Sequence, residues 1–157
     1  MLTFEHVIQR EVGHHEVQGS LTLPSALRER SRQRVVLASG QEAGLILPRG
    51  TVLRHGDLLQ TNEGYVVRVE AAEEPLSVAR FDNQQDMARA CLHLGNRHVP
   101  LEVGPAQVQY IQDKVLDDML QGLGFAVEHC LGPFQPEPGA CPLPHIEVRS
   151  IKLVERQ

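Results

Sequence analysis

The chain reads as an α+β protein: a small all-β domain over residues 1–74, a ferredoxin-like βαββαβ domain over 75–148, and a flexible C-terminal tail over 149–157. Three observations predict this. As far as about residue 74 the apolar segments are short and bounded by Gly, Pro, Asn or Ser, as strands are. From residue 76 the periodicity alternates in the order strand, helix, strand, strand, helix, strand, the split βαβ arrangement. After Leu131 the sequence GPFQPEPGACPLPH holds five prolines in fourteen residues, which excludes helix and central strand and predicts an extended, mobile segment.

The first half supplies the strand segments FEHVIQ, EVQGSLTL, RVVLAS, AGLILP, DLLQ and YVVRVEAA. In the last of these Tyr65, Val67 and Val69 share one face and Val66, Arg68 and Glu70 the other, the alternation of a half-buried strand. Asn62-Glu63-Gly64 is a turn signal, so residues 58–72 are expected to form a hairpin. PSALRERSR reads as a solvated helical turn or loop. The acidic pair and proline of AAEEPL mark the domain boundary.

In the second half LSVARF is a strand, and Asp82 with Gln85 supplies a capping box for the next helix. Met87, Cys91 and Leu94 form that helix's apolar stripe, with Ala88 and Ala90 beside it, and Gly95 is its expected stop. VPLEVG and AQVQYI follow as strands around Gly104-Pro105. In DKVLDDMLQGLG, Val115, Leu116, Met119, Leu120 and Leu123 keep helical spacing, which places Asp117 and Asp118 on a solvated side. FAVEHCL is the last strand, with His129 and Cys130 facing opposite ways.

Composition narrows the function. Residues 1–75 hold 8 basic and 10 acidic side chains and residues 76–157 hold 7 and 10, so the charge is even and no basic stripe is available for nucleic acid. No segment has the apolar length of a membrane span, and the N-terminus lacks the basic leader and apolar core of a signal peptide. Three cysteines without CxxC spacing argue against a disulfide framework and for a reducing, cytoplasmic setting. Ser20, Ser25, Ser31 and Ser39 have no nucleophile-elbow or triad context, so no enzyme is expected.

His98 stands apart from the other histidines. It follows Gly95 and precedes Pro100, in a rigid turn that displays a side chain. One imidazole suits nickel, zinc or copper but needs further donors. A two-fold axis could bring a second His98, or His145 could arrive on the tail. His6 and His55 stand alone, and His14-His15 would point to opposite faces of a strand. Cys91, on an apolar stripe, reads as a buried structural thiol.

The segments AGLILPRGTVLRHGDLL, ARACLHLGNRHVPLEV and KVLDDMLQGLGFAVE, followed by GPFQPEPGA, carry a resemblance. Their order and spacing resemble the UreE family of urease accessory proteins, nickel metallochaperones, along nearly the whole chain; HLGNRHVPL with VLDDML is the most specific part. The resemblance implies an N-terminal β domain that engages protein partners and a ferredoxin-like domain that binds metal and forms homodimers. It implies that His98 meets its symmetry mate and binds nickel at the dimer interface. The ion would pass, with a GTPase accessory protein, into the urease apoprotein; zinc or copper could occupy the same donors in vitro. Some members carry a histidine-rich tail and histidines before VLDDML. Here the tail offers His145 alone, and Gln112 and Lys114 precede that segment, which implies a lean site with one ion per dimer. His145 is the extra ligand expected and Cys141 a weaker one, because thiolate favours zinc or copper. A metal-independent protein-interaction module is the alternative reading, and a cysteine–histidine hydrolase is a third that would need an exposed, reactive Cys91 or Cys130.

Overall fold

Short strands with one buried face must pair into sheets that bury those faces, and two sheets result. The computed structural model describes residues 1–8 and 16–138. The first sheet has six strands, β1 (Leu2–Ile8), β2 (Gly19–Leu23), β3 (Arg32–Val36), β4 (Glu42–Ile46), β5 (Leu58–Thr61) and β6 (Val66–Ala71), in the order β2-β6-β5-β1-β4-β3. β1 with β4 and β2 with β6 are parallel; the other pairs are antiparallel. Phe4, Leu21, Leu45, Leu59, Val67 and Val69 fill its core. The β5–β6 hairpin turns through Gly64 at φ 89°, a conformation that favours glycine. Val66, expected on the outer face, is buried as well, while Arg68 stays exposed.

The second sheet is antiparallel throughout, with β7 (Glu73–Arg80), β8 (Glu102–Gly104), β9 (Gln107–Ile111) and β10 (Val127–Pro133) in the order β10-β7-β9-β8. The helices α2 (Gln84–Gly95) and α3 (Lys114–Gly122) close the βαββαβ order expected of a ferredoxin-like domain. Ala90 and Leu94 from α2 meet Leu116 and Leu120 from α3 over Ala79 and Val108, with Met87 and Cys91 packed at the edge of that core. Val115, counted with the apolar stripe of α3, is instead 63% exposed.

Local details differ from the sequence expectation for identifiable reasons. The N-cap of α2 is Asn83, whose side chain accepts the Asp86 amide at 2.8 Å, one residue beyond the Asp82–Gln85 pairing. Both registers satisfy the capping pattern, and the packed stripe decides between them. The boundary sequence AAEEPL breaks the strand pattern only at Ala72: β6 ends at Ala71, and β7 starts at Glu73 and runs through Pro75. The proline lies one residue beyond the last β7–β9 pair, Leu76 with Ile111, where its carbonyl accepts the Gln112 amide at 3.0 Å.

The larger corrections concern Arg28 and residues 133–138. PSALRERSR yields the short helix α1 (Ser25–Arg28), but Arg28 is only 2% exposed rather than solvated. Its guanidinium donates to the carbonyls of Leu23 at 3.3 Å, Leu53 at 3.2 Å and Phe134. Burial lowers the Arg28 pKa, with the nearby Glu74 and Glu102 carboxylates opposing that effect. The proline-rich stretch expected to be mobile is docked as far as Pro138. Phe134 is 1% exposed, the Gln135 amide donates to Glu102 at 2.9 Å, the Gln135 side chain accepts the His55 amide at 3.0 Å, and the Glu137 amide donates to the Leu101 carbonyl at 2.7 Å. Proline forbids helix, but it leaves an extended chain free to bond at the residues between prolines. The expected tail at 149–157 lies outside the described residues.

Truncating Phe134→Ala is expected to destabilise the protein by about 3–5 kcal/mol in chemical denaturation, the cost of a buried aromatic cavity. A change within about 0.5 kcal/mol, typical of surface positions, would contradict a docked strap.

Candidate functional site

His98 sits where α2 hands the chain to β8. The helix runs through Gly95 and is C-capped by Asn96 in the right-handed region, so Gly95 is not the left-handed stop that its identity suggests. Two tight bonds follow, Arg97 N–H to Leu94 O and His98 N–H to Gly95 O, each 3.0 Å. The left-handed residue is His98 itself, at φ 56°. That conformation costs a non-glycine residue about 1–2 kcal/mol, and such backbone strain concentrates at functional positions. The imidazole is exposed and lines a cavity of about 490 Å³ with Val99, Leu101, Glu29 of α1, and Glu137 and Pro138 of the docked strap. A cavity of about 500 Å³ on the first sheet, between Met1, Glu5, Asn62 and Glu63, has neither imidazole nor thiol in its wall.

Among the described residues no three His, Cys, Asp or Glu side chains converge as metal ligands. At this turn the described residues therefore supply the His98 imidazole, with Glu29 and Glu137 on the same cavity wall, but no converged three-ligand set. His145, Cys141, His14 and His15 lie outside the described residues. The remaining candidates are accounted for. His6 bonds Asn62 at 2.9 Å, and His55 accepts the Ala71 amide at Nδ1. Cys91 is half-buried and its thiol pKa is raised by burial, the opposite of a reactive thiolate. Cys130 is exposed on β10.

One cluster was hidden from sequence reasoning. Asp118 is solvated, paired with Lys114 at 2.8 Å, but Asp117 is 6% exposed. Its Oδ1 accepts the Tyr110 hydroxyl and its Oδ2 contacts His129 Nε2, both at 2.7 Å. Ser77 Oγ lies buried beside the group without reaching hydrogen-bond geometry. Burial opposes ionisation of Asp117, but the Tyr110 hydroxyl and His129 outweigh it and hold the carboxyl below its usual range. Burial and the same carboxylate push the Tyr110 hydroxyl far upward. The cluster joins β7, β9, α3 and β10, and no short sequence spacing signals such a convergence. His129 and Cys130, expected to face opposite ways with one of them packed, are both exposed.

Comparison with known proteins bears on the whole chain. Residues 4–72 match the model of the UreE urease accessory protein N-terminal domain, and residues 74–148 that of its C-terminal domain. The chain is 53% identical over 121 residues to urease accessory protein UreE of Alkalilimnicola ehrlichii, covering 77% of this chain and 74% of the relative. It is 52% identical over 121 residues to that of Proteus mirabilis, covering 77% and 75%. For that of Pseudomonas putida the identity is 49% over 136 residues, covering 85% and 84%. No helix among the described residues is long and apolar enough to cross a membrane.

Two outcomes follow from this geometry. His98→Gly, by removing left-handed strain, is expected to stabilise the fold by about 1 kcal/mol in urea unfolding; a loss of stability would show that the imidazole is held by packing. Asp117 favours its ionised form in the folded state, so its contribution is complete above the unfolded value of about 4 and disappears as pH falls through the lower folded value. Asp117→Asn should therefore cost stability at neutral pH, and the gap to wild type should close below about pH 4. A gap that is constant with pH would rule out the charged carboxylate as its source.

Proposed function

The chain belongs to the UreE urease accessory protein family, and from that premise we propose that it is a cytoplasmic nickel metallochaperone serving urease maturation. In this reading the protein is a homodimer that holds one Ni(II) ion between two copies of His98 and makes or breaks no bond in a substrate. The observation that carries the proposal is the display of His98: exposed, left-handed and on a cavity wall, yet without enough donors among the described residues to hold an ion alone. Pairing about a two-fold axis supplies the second imidazole and explains why one copy looks incomplete. Leu92, 61% exposed one turn before the His98 turn, and Val103, 43% exposed on β8, are apolar surface that such pairing could cover.

A cargo site must bind and also release. Two imidazoles with the remaining positions left to water or to a recipient meet that need better than a closed four-ligand cage. His145, in the proline-rich sequence that follows Pro138, is the proposed additional nickel ligand. Zinc and copper satisfy the same nitrogen donors and are expected to bind in vitro. Both imidazoles must be neutral to coordinate, so acid weakens binding. The urease apoprotein and other accessory proteins, including a GTPase, are the proposed partners, met through the β domain.

Calorimetric nickel titration of wild type and His98→Ala, with the oligomeric state followed alongside, tests the proposal. The expected result is about one ion per dimer for wild type and loss of that binding by a variant that remains dimeric. Equal binding by both proteins would move the ligands away from His98. Binding by neither would favour a metal-independent interaction module.

A further inference from the structure

We infer that His129 is a second metal-binding position, separate from His98, at which a first-row divalent cation is coordinated through Nδ1 while Asp117 holds the imidazole from behind. The inference does not depend on the role assigned to His98.

The argument begins with Asp117. An ionised carboxylate only accepts hydrogen bonds, and this one accepts at both oxygens, from the Tyr110 hydroxyl at Oδ1 and from His129 at Oδ2. The nitrogen of His129 that touches it, Nε2, must therefore carry the proton. In the neutral imidazole the lone pair is then fixed on Nδ1. That nitrogen has no hydrogen-bond partner among the described residues, on a side chain that is 51% exposed while the carboxylate behind it is 9% exposed.

A buried carboxylate that fixes the tautomer and orientation of an exposed imidazole is the arrangement by which proteins prepare a histidine for a metal. Its usual effects are to raise ligand basicity and to remove the rotamer freedom that binding would otherwise cost. Here the carboxylate is itself held. Asp117 is fixed in α3 and bonded to Tyr110, which is fully buried in the core between the helices and the sheet. His129 lies within β10, paired with Ser77 of β7. Each part is set by a regular element rather than by a loop.

The same geometry defines the ligand class. Imidazole nitrogen selects nickel, zinc or copper(II) over magnesium or calcium. Cys130 cannot join, because adjacent residues of a strand face opposite sides of the sheet. With one protein donor, most of the coordination sphere remains water. The position is therefore a weak, rapidly exchanging one, suited to transient capture.

The test reads the imidazole directly. The full-length chain carrying His98→Ala, labelled with nitrogen-15, is titrated with zinc chloride and followed through long-range proton–nitrogen spectra of the histidine rings. The expected starting state for His129 is the Nε2–H tautomer, and zinc should shift its Nδ1 resonance before those of His6 and of His93, the half-buried histidine in the last turn of α2. Adding Asp117→Asn should raise the zinc concentration needed for the His129 shift by about 10–100-fold, the usual effect of losing such a support. If that variant does not fold, the order of responses in the Asp117-intact protein decides alone. A His129 Nδ1 that stays unmoved, or that responds together with His6 and His93, would overturn the proposal and leave the Asp117–His129 pair a structural ion pair. Nickel binding at His98 would be untouched by either result.

Discussion

The Arg28 guanidinium is buried where the end of β2, the loop at Leu53 and the strap after β10 come together, and it donates to a carbonyl from each. A charge in such a place is costly unless its donors are satisfied, and a buried carbonyl without a donor costs about 1–3 kcal/mol. The three backbone segments and the side chain therefore stabilise one another or not at all. The arrangement links the β domain to a segment that follows the ferredoxin-like domain in sequence, so residues more than one hundred positions apart are fixed at one point. The surroundings of His98 depend on it. The strap that Arg28 anchors at Phe134 continues to Glu137 and Pro138, and these form one wall of the His98 cavity, while Glu29, next to Arg28, contributes to another.

A histidine at the end of a helix of the second domain is thus framed partly by the first domain and partly by the chain beyond the last strand. The strap also runs beside β8, the three-residue edge strand, through the bonds of Gln135 and Glu137 to Glu102 and Leu101. Local rigidity around His98 comes from two tight helical-type bonds and a left-handed backbone. The side chain remains open to solvent. Rigid backbone with a free imidazole suits the ion-transfer role proposed for this position.

Much of this was legible in the sequence because periodicity is a local property. The six short strands, the hairpin around Asn62–Gly64 and the βαββαβ order each follow from residues near one another in the chain. His98 was marked by its turn and, more strongly, by the GNRH segment it shares with a known family. What escaped was decided at long range. Arg28 lies in an arginine-rich run that looks solvated, and only the carbonyls of Leu53 and Phe134 make burial tolerable. Asp117 looks solvated beside Asp118 until Tyr110 and His129 are brought against it. Proline density in residues 132–138 correctly excluded helix, yet it says nothing about docking, which depends on the burial of Phe134.

The central claim is that nickel is shared by two copies of His98. X-ray absorption spectroscopy of the nickel-loaded protein tests it most directly, because imidazole carbons give multiple scattering that counts the histidines around the metal. The account predicts at least two imidazoles per nickel in wild type, and their loss from the nickel shell of His98→Ala. A single imidazole, sulfur in the first shell, or an unchanged spectrum in the variant would contradict it.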